Sequence, residues 1–231
     1  MNNILIVTIK DWNIKNYFKL KENLYKEYNF HIIDNKEELT LDNIRKINPK
    51  YIFFPHWSWI IPENIYKNYE CILFHMTDLP YGRGGSPLQN LIINKVYNTK
   101  ISAIKVSKEL DEGDVYLKED FDISKGSAKE IYENASKLIF KKLIPNILRQ
   151  NPTPVRQEGD IVLFKRRTPE QSNIKTLNDI SINNLYDFIR MLDAPSYPKA
   201  YLELDNLKIE LSEVIIKDGK LEGRFEVSKD E

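Results

Sequence analysis

The sequence predicts an α/β fold: a mostly parallel sheet flanked by helices, followed by a small α+β or β-rich module. Three observations carry that prediction. Short, almost wholly apolar runs at 3–9, 30–33, 50–55, 71–76 and 101–106 alternate with segments able to hold a helix. Strands buried on both faces of a parallel sheet read in this way, as continuous rather than alternating apolar runs. A long amphipathic stretch then ends at Asn151-Pro152-Thr153-Pro154, where proline withholds an amide hydrogen and restricts the residue before it. Beyond that point short β-rich runs surround one helical segment, so the chain divides into residues 1–150 and 151–231.

The elements follow in order. Residues 3–9 read as the opening strand, and 13–28 as a helix with Tyr17, Leu20, Leu24 and Tyr28 at helical spacing. Segments 40–46, 62–68 and 86–95 each hold a short helix, the last opened by Pro87. Between Val106 and Val115, Asp111-Glu112-Gly113-Asp114 has turn chemistry. From Ser127 to Arg149 the residues Ile131, Ala135, Leu138, Ile139, Leu143 and Ile147 line one face of a single helix, with Ser127 as its cap and Glu130 three residues on. After the boundary come a strand at 161–165, a helix at 182–192 and strands near 199–203, 207–216 and 220–227, the last two joined by Asp218-Gly219.

Charge excludes some partners. Lys plus Arg equal Asp plus Glu at 34 each, so no net field concentrates nucleic acid or an anionic membrane. The start, Met-Asn-Asn-Ile-Leu-Ile-Val, lacks a basic stretch before a long apolar run, and no run reaches the ~18–20 residues that cross a bilayer. A cytoplasmic protein without a membrane partner is expected. Cys71 is the single cysteine and lies in an apolar run, as a buried, inert thiol does. Three histidines and one cysteine show no metal-ligand spacing, so no metal is expected.

The densest chemical signal is the segment from Phe74 to Leu88. His75 ends a predicted strand, and open α/β sheets bind ligands beyond the carboxyl ends of their strands. His75 is therefore a candidate acid/base group; a histidine that serves only the core is the other reading. Glycines 82, 84 and 85 around Arg83 would let backbone approach a ligand, and Pro87 opens a helix whose amino end attracts anions. A plain connector uses the same residues. Asp111 follows the next strand and would lie beside His75 to fix its tautomer, or else be an exposed turn residue. His56, Trp57 and Trp59 end another strand, where aromatics either stack on a planar ligand or pack in the core.

With these residues in this order, the chain resembles the formyltetrahydrofolate-dependent formyltransferase family, which includes methionyl-tRNA formyltransferase, glycinamide ribonucleotide transformylase and the sugar N-formyltransferases. Leu73-Phe74-His75 stands where the family has Asn-x-His, followed by Leu79-Pro80, Arg83-Gly84 and Pro87. Asp111-Glu112-Gly113 matches its Asp-x-Gly turn. The stretches Arg166 to Glu170, Asn183 to Leu192 and Tyr197 to Tyr201 resemble the second domain of the sugar-modifying branch. The resemblance implies a Rossmann-like sheet, catalytic His75 and Asp111, and N10-formyltetrahydrofolate as co-substrate. It places the folate against Trp59, Ile60, Ile61, Pro62 and Leu110; Arg83, Gly84, Trp57 and His56 are the candidate acceptor-binding residues.

One departure matters: the family's asparagine donor to the formyl oxygen is Leu73 here, and losing such a donor costs ~10²–10³ in rate. His56, Asn90 or a loop amide near Gly84 would have to substitute, with His56 ranked first. For the acceptor, residues 151–231 carry twelve Lys/Arg against fifteen Asp/Glu, a poor surface for tRNA phosphates. The Gly-Ser-rich phosphate loop of the purine enzyme is replaced by Thr8-Ile9-Lys10-Asp11-Trp12. What remains is a nucleotide-linked amino sugar, with Arg83 either a candidate for its pyrophosphate or a brace for its own loop. A formyltetrahydrofolate hydrolase and a non-catalytic folate or nucleotide-sugar binder are the alternatives. The C-terminal module offers a surface for a homodimer.

Overall fold

The computed structural model describes residues 1–195 and 197–229. Its first strand, β1 (Asn2–Val7), is buried from Ile4 onward and leads into α1 (Asp11–Leu24). That helix buries Asn13, Asn16, Tyr17, Leu20 and Leu24, one face at three- and four-residue spacing. It stops before Tyr28, which instead opens β2 (Tyr28–Ile33) and pairs with Asn2. The expected helix to residue 28 is thus too long, because the spacing of Tyr28 continues the helical stripe by coincidence.

Next come α2 (Leu41–Ile47), β3 (Tyr51–Phe54), α3 (Glu63–Tyr66), β4 (Cys71–His75), β5 (Tyr81–Gly84), α4 (Pro87–Ile93), β6 (Asn98–Lys105) and β7 (Val115–Asp122). Six of the strands form one sheet in the order β2-β1-β3-β4-β6-β7. β1 pairs in parallel with β2 and β3, and β3 with β4; β4 and β6 are antiparallel, setting His75 against Ser102 and Ile72 against Lys105. The fold class is the mixed α/β sheet that the apolar runs predict. On it, Leu5, Val7, Ile33, Ile52, Phe54, Ile65 and Cys71 pack into a shared core, with Leu73 against its edge.

The single helix expected over 127–149 is three pieces: α5 (Ala128–Leu138), a π-helical turn at Ile139–Leu143 and α6 (Ile144–Gln150). Pro145 supplies the reason, since it has no amide hydrogen and its ring crowds the carbonyl four residues earlier. A wider π turn just before it relieves that crowding. β8 (Val162–Phe164) pairs with β5, two short strands of which only β8 shows an apolar run in the sequence. α7 (Ile182–Arg190), β9 (Ala200–Leu204), β10 (Leu207–Lys217) and β11 (Lys220–Lys229) complete the chain, the strands forming an antiparallel sheet in the order β11-β10-β9.

Two compact units emerge. The first comprises Met1–Arg83, Thr99–Phe121 and Glu133–Leu163, and holds the six-stranded sheet. The second comprises Gly84–Asn98, Asp122–Tyr132 and the chain from Phe164 onward. Within the second, Arg190 is fully buried: it donates to Asp187 at 2.8 Å and to the carbonyls of Ile123 and Gly126 at 3.0 and 3.1 Å. Asp187 also accepts from Lys95 and Tyr97. A buried guanidinium is tolerated only with such partners.

Candidate active site

His75 and Asp111 are both buried, at 7% exposure each, and they meet: Nδ1 of the imidazole lies 3.5 Å from Oδ2 of the carboxylate. Nε2 is 2.8 Å from the carbonyl oxygen of Gly82. A carbonyl only accepts, so Nε2 carries the hydrogen and Nδ1 is the nitrogen turned toward Asp111. The connection that brings Asp111 there is not a simple strand end. Because β6 runs antiparallel to β4, it finishes level with the start of β4. The chain must then travel back by about three residues of strand rise, ~10 Å, to reach His75.

Local geometry holds that excursion. Asp111 sits at φ +56°, the left-handed region, an observed departure of the kind that functional sites store. Gly113 lies so close to β6 that an added Cβ would be 1.7 Å from the Lys105 carbonyl oxygen. The Gln157 amide donates at 2.8 Å to the carbonyls of both Asp111 and Gly113. On the other flank, Ser102 donates to the Thr77 carbonyl at 2.7 Å and Thr77 reaches Gly82. The loop after His75 is thereby pinned to β6.

Arg83 and Gly84 are not placed as expected for an acceptor site. The Arg83 guanidinium is buried; Nε and Nη2 donate to the Gln157 side-chain oxygen at 3.1 and 3.0 Å, and Nη1 pairs with Glu112 at 2.9 Å. In this arrangement it braces its own loop. Gly84, at φ +104°, approaches the chain itself: a Cβ there would meet the Phe164 carbonyl oxygen at 2.3 Å. The close approach that glycine permits is to β8, not to a ligand.

A second cluster gathers where β1 and β3 end. Thr8 and Asn13 both donate to the Pro55 carbonyl at 3.0 Å, tying the two loops together. His56 follows at φ +52°, 5.7 Å from the Trp12 ring. Burial pushes the His56 imidazole down to about 4, and the Lys10 charge adds to the shift. Trp57 packs edge-on against Trp59 at 4.9 Å and against the core at Phe54. Lys36 stands 5.2 Å over the Trp59 ring. Of the expected folate contacts, Ile60 is 91% and Leu110 68% exposed, and Trp59 and Pro62 are exposed too, while the Ile61 side chain is in the core and offers only backbone.

His56 carries a prediction about pH. Its folded-state value lies below the ordinary 6.5, so the unfolded chain binds the extra proton and stability falls as pH drops from 6.5 toward 4. The loss attributable to this group is about 3 kcal/mol. Denaturant unfolding at pH 7 and pH 4 should show a smaller drop for His56→Asn, a residue that tolerates the left-handed backbone. Equal drops in both proteins would reject the assignment.

The surroundings of Leu73 and Asn90 bear on what replaces the asparagine. Leu73 packs into the apolar cluster of Leu79, Ile104 and Val115. Asn90 is engaged, its amide donating to the carbonyls of Gly85, Ser86 and Lys165 at 2.9, 3.1 and 3.0 Å. Among the described residues no group of three or more His, Cys, Asp or Glu side chains could hold a metal ion, and no helix is long and apolar enough to cross a membrane.

Residues 8–148 match the profile of the formyl transferase family. The chain belongs to that family. Residues 169–228 match a second profile, described as the C-terminal domain of methionyl-tRNA formyltransferase. The methionyl-tRNA formyltransferase of Rickettsia canadensis is 29% identical over 140 residues, 59% of this chain and 46% of the relative, so the chain spans about half the length of such curated relatives. A solved structure described as methionyl-tRNA formyltransferase from Clostridium thermocellum is 49% identical and superposes with a TM-score of 0.95, covering 99% of this chain and 100% of its own. A sugar N-formyltransferase from a Shewanella species has the same fold, at a TM-score of 0.68 and 16% identity over 97% of this chain and 96% of its own.

Proposed function

We propose that this formyltransferase moves the formyl group of N10-formyltetrahydrofolate to the amino group of a nucleotide-linked amino sugar. The His75–Asp111 contact is the observation that carries the transfer. Formylation of an amine requires a group that removes a proton as the new C–N bond forms, worth ~10²–10⁴ in rate. Asp111 and Nδ1 of His75 would share that proton and return it to N10 as the bond from the formyl carbon to N10 breaks and tetrahydrofolate leaves, while Gly82 keeps Nε2 as a donor. Their 3.5 Å separation suits a site that tightens when substrate binds. His56, neutral at working pH, is the proposed donor to the formyl oxygen in place of the family's asparagine.

For the folate, the exposed Trp59 face, Ile60 and Leu110 supply apolar contact, and backbone at Ile61 and Pro62 supplies polar groups. Residues 1–150 are proposed as the catalytic domain. The acidic balance after residue 150 favours a small acceptor over a nucleic acid. A homodimer through the C-terminal sheet belongs to the same proposal, since Phe225 and Val227 are exposed on the edge strand β11.

A second reading, methionyl-tRNA as acceptor, is favoured by the 49% identical structure that carries that description. Incubation with N10-formyltetrahydrofolate and, in separate arms, a panel of nucleotide-linked amino sugars, methionyl-tRNA and no acceptor discriminates the two. Mass gain of one formyl group on a sugar is the expected outcome. Formylated methionyl-tRNA alone would establish the second reading, and formate release without acceptor would establish a hydrolase.

A further inference from the structure

We infer that Gln157 is the positioning residue of the His75–Asp111 pair, acting as a clip between the two segments that hold the imidazole. The inference rests on the proposed formyl transfer for its kinetic test, but on geometry for its argument. His75 is held on one side by the Gly82 carbonyl and faces the Asp111 carboxylate on the other. These two partners belong to different segments: Gly82 lies in β5, and Asp111 in the connection between β6 and β7.

Gln157 is bonded to both segments through the opposite ends of one amide. Its oxygen accepts from Nε and Nη2 of Arg83, the residue next to Gly82. Its nitrogen donates to the carbonyls of Asp111 and Gly113. The nitrogen has two hydrogens and the oxygen two lone pairs, so these four contacts use the side chain's full hydrogen-bonding capacity. Glu112 closes the circuit with Nη1 of Arg83. A shift of the amide therefore moves Gly82 and Asp111 relative to one another, and with them the two nitrogens of His75.

No other side chain of that size and chemistry does this. Glutamate accepts from Arg83 at least as well, yet cannot donate to the two carbonyls and sets a carboxylate against them. Leucine keeps the volume and loses all four bonds. Gln157→Glu and Gln157→Leu thus separate the two halves of the clip.

In both variants kcat should fall by about 10²-fold, the cost of a displacement near 1 Å at reacting groups, with KM for N10-formyltetrahydrofolate changing far less, because its proposed contacts at Trp59, Ile60, Ile61 and Pro62 lie outside the clip. The pH dependence of kcat should move, and the ring-proton NMR signal of His75, assigned through His75→Gln, should shift in Gln157→Glu with the folded spectrum otherwise retained. If Gln157→Leu fails to fold, Gln157→Glu, which keeps the Arg83 contact, provides the reading. Unchanged kcat and pH profile in folded variants would overturn the inference. A kcat loss accompanied by an unchanged pH profile and an unchanged His75 signal would do so as well, since that is what mere loosening gives. Should the wild-type protein transfer formyl to no acceptor, the functional reading fails, and the His75 signal alone then decides for or against the clip.

Discussion

Asp111→Asn is expected to lower kcat for formyl transfer by about 10²–10⁴-fold while leaving the melting temperature unchanged. The substitution keeps the shape and removes the charge. Asparagine occupies left-handed backbone at least as readily as aspartate, so the φ of +56° at this position adds no strain. What changes is the group opposite Nδ1 of His75, from a carboxylate that can share a proton to an amide that cannot. His75→Ala should lose a comparable amount, and the double variant little more, because residues that act as one unit are strongly non-additive. Single-turnover formylation by the three proteins measures this directly. A kcat within threefold of wild type for Asp111→Asn would remove the pair from the mechanism.

Much of the architecture was legible because β1, β3 and β4 are central strands buried on both faces, and such strands advertise themselves as apolar runs. β5 was not legible as a strand. Tyr-Gly-Arg-Gly has no apolar repeat, and it is ordered by pairing with β8, some eighty residues away. The same distance hides the partners of Arg83 and Gly84 from the sequence. Guanidinium beside glycine looks like an anion site from sequence, and only the fold reveals that Gln157, Glu112 and Phe164 fill the space. Pro145 was visible all along and marks the π turn, whereas the apolar stripe on either side of it is continuous and conceals the break.

Asp111 shows what resemblance contributes and what it leaves out. Its place in the order of motifs named it as a partner of His75. The carboxyl-end rule by which parallel strands gather their loops was the physical ground, yet it is not how the contact forms. β6 is antiparallel to β4, a choice that no local pattern in residues 98–105 records, and the turn has to double back. Of the residues that hold the returning turn, Gly113 is marked in the sequence by the Asp-x-Gly pattern, whereas Gln157 carries no chemical signature of its own. Family membership was readable for the same reason that the acceptor is not: the transfer chemistry sits in short local motifs, while acceptor choice depends on surfaces assembled from distant segments.

Gly113→Ala should be the most damaging single methyl group in the candidate site. The added Cβ would stand 1.7 Å from the Lys105 carbonyl oxygen, 2.8 Å from its carbon and 3.5 Å from its Cα. All three are backbone atoms of a sheet strand, so no side chain can swing aside. Lys105 also donates its amide to the Asp114 carbonyl at 2.8 Å, which fixes the spacing between strand and turn. Relief must come from the turn lifting away, which stretches that bond and the bond from Gln157 to the Gly113 carbonyl. Overpacking of this kind costs about 2–3 kcal/mol, a fall of roughly 4–12 °C in melting temperature for a chain of this size. Because Asp111 rides on the same turn, its carboxylate leaves His75, and kcat should fall by about 10²-fold beyond any loss from unfolding. Melting and kcat measured well below the transition separate the two effects. Gly113→Ala with wild-type stability would mean that the turn does not lie against β6 in solution, and the path that carries Asp111 to His75 would have to be redrawn.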